Sequence, residues 1–151
     1  GFKQTLTGSS SASNSAIRTA IKQKFSDAGV KLLLSVFGGT SHPMWTYSEA
    51  SISTSGGVCD KIASVVQDQL YDGVDIDFEG TSYFQSGTAE TWLCELTNCL
   101  REKLGSSAII SHAPQAPYMG HSGYPNGAYL GVERLCGDNI DWYNTQFYNQ
   151  G

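Results

Sequence analysis

Apolar residues recur along the chain with two different spacings. Every third or fourth position is apolar in three segments, which predicts helices at Ala16–Phe25, Gly57–Leu70 and Thr88–Leu104. Shorter runs rich in apolar residues lie between and after them and predict strands at Val30–Phe37, Val74–Phe78, Ala108–His112 and Ile140–Tyr148. Strands that alternate with helices pair in parallel through helical crossovers, so the pattern predicts an α/β protein.

The second predicted strand carries three carboxylates at alternate positions. Side chains on a strand alternate between its two faces, so Asp75, Asp77 and Glu79 point one way and the apolar residues between them point the other. An unpaired carboxylate in a protein interior is costly or takes up a proton. The structural alternative is an edge strand with a solvated acidic face, but this strand lies between two amphipathic helices, where edge strands are uncommon. The row therefore indicates a functional site.

Crowded carboxylates raise one another's pKa, because a second negative charge nearby is unfavourable. We expect one group of the row to stay protonated near neutral pH and to act as a general acid. Glu79 is the last of the three and lies nearest the C-terminal end of the strand, where barrels of parallel strands bind substrate. Asp75 and Asp77 are expected to lie deeper and to share a proton.

Composition and charge narrow the class of protein. Hydrophobic residues make up 40% of the chain and charged residues 15%, as in a globular domain, and the net charge is −5. The chain has no basic run, which argues against a nucleic-acid partner. It also has no run of about 18 apolar residues, so we expect no membrane span. The absence of an initiator Met and of a signal-peptide pattern predicts that it begins at a processed or cut position.

The four cysteines, Cys59, Cys94, Cys99 and Cys136, form no CxxC pair and no cluster with His, which argues against a metal site. An even number permits two disulfides, with three possible pairings, and favours a secreted protein. Four buried thiols are the alternative.

Four segments resemble strands of glycoside hydrolase family 18, in the order of that family. Residues 72–79 (DGVDIDFE) match its DxxDxDxE signature, and residues 31–39 (KLLLSVFGG) resemble its third strand. Residues 112–117 (HAPQAP) and 146–149 (QFYN) resemble the fifth and sixth strands of plant- and fungal-type chitinases. The resemblance implies a (β/α)8 TIM barrel, of which residues 1–151 cover about strands 3 to 6 as part of one catalytic domain. A whole barrel needs about 250 residues, so the remainder of the barrel is an expected partner.

The family's chemistry is substrate-assisted: the 2-acetamido oxygen of the sugar attacks the anomeric carbon. Carried over by position, Glu79 is the proton donor and later the base for water, Asp77 orients the acetamido group, and Asp75 supports Asp77. Tyr148 would donate a hydrogen bond to the acetamido oxygen. No cofactor is implied. Asp72 has the wrong parity for this face and is predicted to be structural, holding the Asp-Gly turn.

The implied substrate is chitin or another oligosaccharide of N-acetylglucosamine, including the chitobiose core of N-glycans. A non-catalytic lectin or inhibitor on the same scaffold is the alternative class, but such proteins usually lack the acid that Glu79 supplies. Candidate substrate contacts are Gln146, Asn149, Trp45 and Tyr118, with loop packing as the alternative for Trp45.

Four further residues carry structural expectations. Phe37 stands where the family pattern often has Gly, and we expect it to narrow the floor of the site or to shift a bulge. Trp92 and Trp142 are predicted to be core residues, and His112 is predicted to be a structural histidine rather than a ligand.

Overall fold

The structure, a computed structural model, describes residues 12–39, 43–120 and 122–148. Four parallel strands form one sheet in the order β1-β2-β3-β4: β1 Leu33–Phe37, β2 Gly73–Asp77, β3 Ile109–His112 and β4 Trp142–Tyr143. The α-helices are α1 Ala12–Asp27, α2 Pro43–Thr46, α3 Val58–Asp68, α4 Thr81–Ser86, α5 Ala89–Leu104 and α6 Tyr129–Cys136. Short 3-10 helices lie at Glu49–Ser51, Ala116–Met119 and Gly137–Asn139. Within these described ranges no helix is both long and apolar enough to cross a membrane.

The predicted alternation of strands and helices is confirmed. The core lies between one face of the sheet and helices α3, α5 and α6. On β2 and just beyond it, Val74, Ile76 and Phe78 are at most 1% exposed. Trp92 on α5 is 1% exposed and its ring lies 5.8 Å from that of Phe78, so its assignment to the core is also confirmed. Burial of one face of β2 forces its carboxylates to the opposite face.

Two disulfides join the helical layer and settle the pairing that the sequence left open. Cys59–Cys99 links α3 to α5, and Cys94–Cys136 links α5 to α6. Both cross-links close loops of about 40 residues, which removes conformational freedom from the unfolded chain. The three helices behind β2 are thereby tied together.

The last predicted strand is shorter than expected. Only Trp142–Tyr143 is regular strand, and pairing resumes as an isolated bridge between Gln115 and Gln146. Pro114 interrupts the ladder because it has no N–H group to donate. The prediction that Trp142 is a core residue is wrong: it is 44% exposed, on the strand that ends the sheet of the described residues.

Asp72 is structural, although it does not act through its own turn. Its carboxylate accepts a hydrogen bond from the Leu32 backbone N–H (2.8 Å) and forms ion pairs with Lys22 and Lys31. These partners lie about 40 to 50 residues earlier in the chain. Asp72 therefore joins the beginning of β2 to the segment that enters β1.

His112 is buried as a structural histidine, as predicted. It is fully buried, which lowers the pKa of its imidazole to about 3 and keeps the ring neutral. The Thr97 hydroxyl donates to the Leu93 carbonyl (2.7 Å) and accepts from His112 Nε2 (3.1 Å). The Tyr129 hydroxyl then donates to Nδ1 (3.2 Å), so both ring nitrogens have a partner.

Phe37 occupies the end of β1 in a left-handed conformation, with φ of 79°. Its ring does not narrow the floor of the site as expected. It lies 5.9 Å from the ring of Trp92, on the helical side of the sheet. The family pattern often has Gly at this position, and the positive φ gives the physical reason: glycine adopts this conformation without strain.

The positive φ of Phe37 is expected to reverse the usual order of stability of a glycine and an alanine variant. In an ordinary strand Gly is less stable than Ala, but at a positive φ we expect Phe37→Gly to be more stable than Phe37→Ala by about 1 kcal/mol. Both variants lose the same contact with Trp92, so the pair isolates the backbone. Denaturant unfolding of the two variants measures the difference. A more stable alanine variant would contradict the left-handed conformation.

Candidate active site

The carboxylates of β2 face away from the helical layer, at the C-terminal edge of the sheet. Asp75, Asp77 and Glu79 are all half-buried, on the face opposite to Val74 and Ile76. The carboxyl ends of parallel strands meet at one edge, so polar residues from neighbouring strands converge on this row. The three groups lie together, as the alternation of the strand predicted.

Asp75 lies at the bottom of the row and is surrounded by hydrogen-bond donors. The strand register places Ser35, Asp75 and Ser111 side by side on β1, β2 and β3. Ser111 Oγ donates to Asp75 Oδ1 (2.6 Å), and Asn144 Nδ2 donates to the same oxygen (3.1 Å). Ser35 Oγ lies 3.5 Å from Oδ2. These contacts hold Asp75 deep in the site and give both of its carboxyl oxygens a polar partner.

Gln146, which follows β4, holds Asp77 on the carboxylate face of the sheet. Its Nε2 donates to Asp77 Oδ1 (2.8 Å) and to the Ala113 carbonyl (2.8 Å), and lies 3.4 Å from Glu79 Oε1. The residue is only 7% exposed. Its amide therefore fixes the orientation of the Asp77 carboxyl.

Asp77 carries the raised pKa of the row. Burial raises the pKa of its carboxyl to about 6, with further contributions from the charge of Glu79, a hydrogen bond shared with Glu79 and the charge of Asp75. The hydrogen bond from Gln146 opposes the shift. A hydrogen bond between two carboxyl groups needs a proton on one of them, so Asp77 shares its proton with Glu79 rather than with Asp75 as the sequence suggested.

Glu79 is held between the ends of β1 and β3. Gln115 Nε2 donates to Glu79 Oε2 (3.0 Å). On the other side, a Cβ built on Gly39 would lie 2.9 Å from the same oxygen, and one built on Gly38 would lie 3.5 Å from Asp77 Oδ2. The two glycines that follow β1 thus leave the space that the two carboxyl groups occupy.

The other residues predicted to contact substrate include one exposed side chain, one buried side chain and two that the structure does not describe. Tyr148, two residues beyond Gln146, is 63% exposed. Tyr118 is 1% exposed and its hydroxyl is hydrogen-bonded to Thr81 (2.6 Å), an arrangement that favours packing behind the site over contact with a sugar. Asn149 and the side chain of Trp45 lie outside the part of the chain that the structure describes.

Several polar partners of the carboxylates were not predicted to have roles. They are Ser35, Ser111, Gln115 and Asn144. Ser35 and Ser111 lie on the strands beside β2, and Gln115 and Asn144 lie just beyond the C-terminal ends of β3 and β4. Polar residues within or just after these strands are the signal that could have identified them. Their contacts depend on strand register, which hydrophobic patterning does not give.

The arrangement can hold one exchangeable proton between two carboxyl groups. The two groups are those of Asp77 and Glu79, which Gln146 and Gln115 hold, and Asp75 lies below them. Such a pair can transfer a proton to a leaving oxygen near neutral pH and take one back from water.

Comparison with known proteins gives the family of the chain. The model of the glycosyl hydrolases family 18 matches residues 3–151. Chitinase 2 of Rhizopus oligosporus is 33% identical over 133 residues, covering 84% of this chain and 22% of that protein. A probable class II chitinase of Arthroderma benhamiae is 30% identical over 162 aligned positions, covering 92% of this chain and 46% of that protein. The chain thus spans less than half the length of these relatives.

Solved structures extend the likeness to the fold. A family 18 chitinase from Pseudoalteromonas aurantia superposes with a TM-score of 0.74 at 40% identity, covering 88% of this chain and 48% of that one. A fungal endo-β-N-acetylglucosaminidase of the same family, at 22% identity, superposes with a TM-score of 0.68 over 89% of this chain and 46% of that one. The four parallel strands are therefore part of a (β/α)8 barrel, and the chain belongs to glycosyl hydrolase family 18.

Proposed function

We propose that residues 1–151 form part of the catalytic barrel of a glycosidase that cleaves β-1,4 linkages between N-acetylglucosamine units, as in chitin, with retention of configuration. The observation that carries this proposal is the placement of Asp77 and Glu79 at the C-terminal edge of the strands, where the amides of Gln146 and Gln115 hold the two carboxyl groups. The names of the relatives support chitin as the substrate class.

In the proposed reaction the acetamido oxygen of the substrate attacks the anomeric carbon as the glycosidic C–O bond breaks. Glu79 gives its proton to the leaving oxygen, and an oxazolinium ion forms on the sugar. Glu79 then takes a proton from the water that opens this ion. Asp77 orients the acetamido group and stabilises the positive charge that develops on it, while Asp75 keeps Asp77 in place.

The placement of the carboxylates supports substrate assistance. In two-carboxylate retaining glycosidases the acid and the nucleophile flank the scissile bond and lie about 5–5.5 Å apart. Asp77 is instead beside Glu79 on the same strand and shares a hydrogen bond with it. Asp75 is deeper and is occupied by Ser111 and Asn144. A nucleophile from the substrate removes the need for an opposed carboxylate.

The substrate contacts follow from the same placement. Tyr148 is proposed to donate to the acetamido oxygen, since its exposed ring follows Gln146 on the same segment. Gln146, Asn149 and Trp45 are the proposed sugar-binding residues, and Gln146 also positions the Asp77 carboxyl group. Tyr118, predicted from the sequence as a sugar contact, is instead proposed to pack behind the site, because it is buried and bonded to Thr81.

Secretion is proposed from the two disulfides, because such bonds form and persist in oxidising compartments. A substrate such as chitin lies outside the cytosol, which is consistent with that location.

Matched fluorogenic substrates test the proposed reaction. The complete protein is expected to release the fluorophore from a chitooligosaccharide and at least about a hundredfold more slowly from the matching glucose oligosaccharide, because the glucose unit has no acetamido nucleophile. The first product formed should be the β-anomer, which proton NMR measures directly. Equal rates on the two substrates, or an α-anomeric product, would contradict substrate assistance.

The same assay separates chitin from the core of N-glycans. Release of a glycan from a high-mannose glycopeptide at a rate above that on the chitooligosaccharide would reassign the substrate to N-glycans while leaving the chemistry of Glu79 unchanged.

A further inference from the structure

Gln115 has no role in the reaction as proposed above, yet it contacts the acid directly. It follows β3 in an extended conformation and forms a parallel bridge with Gln146. The backbone fixes this pairing: Gln146 N–H donates to the Pro114 carbonyl (2.8 Å) and Ala116 N–H donates to the Gln146 carbonyl (3.0 Å). Paired residues of neighbouring strands point to the same face, so both amides face the carboxyl pair.

The side-chain amides of Gln146 and Gln115 bond different carboxyl groups. An amide nitrogen carries two hydrogens, and those of Gln146 are directed to Asp77 Oδ1 and to the Ala113 carbonyl, both at 2.8 Å. Its contact with Glu79 Oε1 is longer, at 3.4 Å. Gln115 makes the shorter contact with Glu79, at 3.0 Å to Oε2. The two oxygens of Glu79 therefore have different surroundings.

The backbone after β1 closes on the same oxygen. A Cβ on Gly39 would come within 2.9 Å of Glu79 Oε2, with the remaining atoms of that carboxyl group farther away. Oε2 is therefore confined between Gln115 and Gly39. Each carboxyl oxygen has two lone pairs, and on Oε2 one of them accepts the shorter amide hydrogen bond while Gly39 crowds the remaining space. This difference favours Oε1 as the oxygen that carries the proton of Glu79.

We propose that Gln115 is a positioning residue that keeps Glu79 Oε2 unprotonated and so directs the exchangeable proton to Oε1, the oxygen that serves the leaving group. The inference rests on the proposed function for its catalytic consequence. Its structural content, the placement of a proton on one oxygen of Glu79, does not depend on the substrate.

Gln115→Met tests the proposal, because Met has a similar length and lacks the donor. In the complete protein, kcat on the chitooligosaccharide should fall about 10- to 100-fold with KM within about twofold, since Gln115 bonds the acid rather than the sugar. The alkaline limb of the pH–rate profile should move to higher pH, because the carboxylate form loses a donor. The other titratable groups that face Glu79 include Asp77 and Asp75 on β2 and Tyr118 after β3. The unaltered protein and the Gln115→Met variant both have these groups.

Controls distinguish this role from a general loss of structure. Gln85→Met makes the same change on the exposed surface of α4 and should leave kcat, KM and the pH profile unchanged. Gly39→Ala places a methyl group against Oε2, on the side away from Gln115, and leaves Gln115 unchanged. Gly39 has no positive φ that would strain alanine. It should also lower kcat, so a Gln115 variant that fails to fold leaves a second test.

A titration independent of activity completes the design. Carbon-detected NMR of the carboxyl groups should show the titration of the Asp77–Glu79 pair moved to higher pH in Gln115→Met. Absence of hydrolysis by the unaltered protein would overturn the proposed function, whereas an unmoved titration would overturn the role of Gln115. A raised KM with unchanged kcat would also overturn it, by making Gln115 a substrate contact.

Discussion

Replacement of Glu79 by glutamine is expected to lower kcat on a chitooligosaccharide by about a hundred- to ten-thousandfold, the usual contribution of a general acid. The amide has the size of the carboxyl group, but it has no acidic proton to give to the leaving oxygen and cannot take one from water. KM should change little, since Glu79 is proposed to act on the leaving oxygen and not to bind the acetamido group. Steady-state rates of the complete protein measure both constants.

Glu102→Gln is the matched control for this prediction. Glu102 lies on the exposed side of α5, so the same loss of one negative charge away from the site should leave the rate unchanged. The pH dependence gives a second check. With a shared proton at an Asp77 pKa of about 6, the rate of the unaltered protein should fall as pH rises through about 6. An optimum above about pH 8, or equal rates for Glu79→Gln and the unaltered protein, would remove Glu79 from the mechanism.

The elements of the fold and the row on β2 could be predicted because both follow from local periodicity. Alternation with a period of two decides the face on which Asp75, Asp77 and Glu79 lie, and burial of Val74 and Ile76 fixes that face against the helices. No long-range information is needed for this step.

The partners of the row could not be predicted because they come from other strands. Gln115 meets Glu79 across 36 residues of sequence, and Asn144 meets Asp75 across 69. Their proximity depends on strand register and on the interruption at Pro114, neither of which is periodic in the sequence. The disulfide pairing is of the same kind, since three pairings of four cysteines agree equally well with the sequence.

Two expectations about single residues were wrong. Strand parity places Trp142 deep on the inner face, which predicts a core residue, but it lies on the last strand of the described sheet and is 44% exposed. The expectation that Phe37 narrows the floor of the site rests on the family pattern, which often has Gly at this position. The backbone of Phe37 has a positive φ, and its ring lies near Trp92 on the helical side of the sheet.

Asp77→Asn is expected to have opposite effects on activity and stability. Activity should fall nearly as far as in Glu79→Gln, because the acetamido group loses the charge that orients it. Stability above neutral pH should instead rise. Folding raises the pKa of Asp77 from 3.8 to about 6, so the folded protein binds the proton more tightly than the unfolded chain does. The contribution of this proton to stability is fully present below about pH 3.8 and is lost as pH rises through about 6.

The size of the gain follows from that shift. A change of about two pKa units corresponds to about 3 kcal/mol, and because the group is half-exposed, screening by solvent reduces this to about 1–2 kcal/mol. Asparagine keeps an oxygen that can accept the hydrogen bond from Gln146, so the contact survives the substitution. Urea unfolding at pH 8 should therefore show the variant more stable than the unaltered protein, with the difference gone near pH 4. Asp138→Asn, an exposed carboxylate outside the site, should show no such pH-dependent gain. If Asp77→Asn is destabilising at pH 8, or is stabilising equally at both pH values, the carboxyl pair does not share a proton, and the site must release its leaving group in another way.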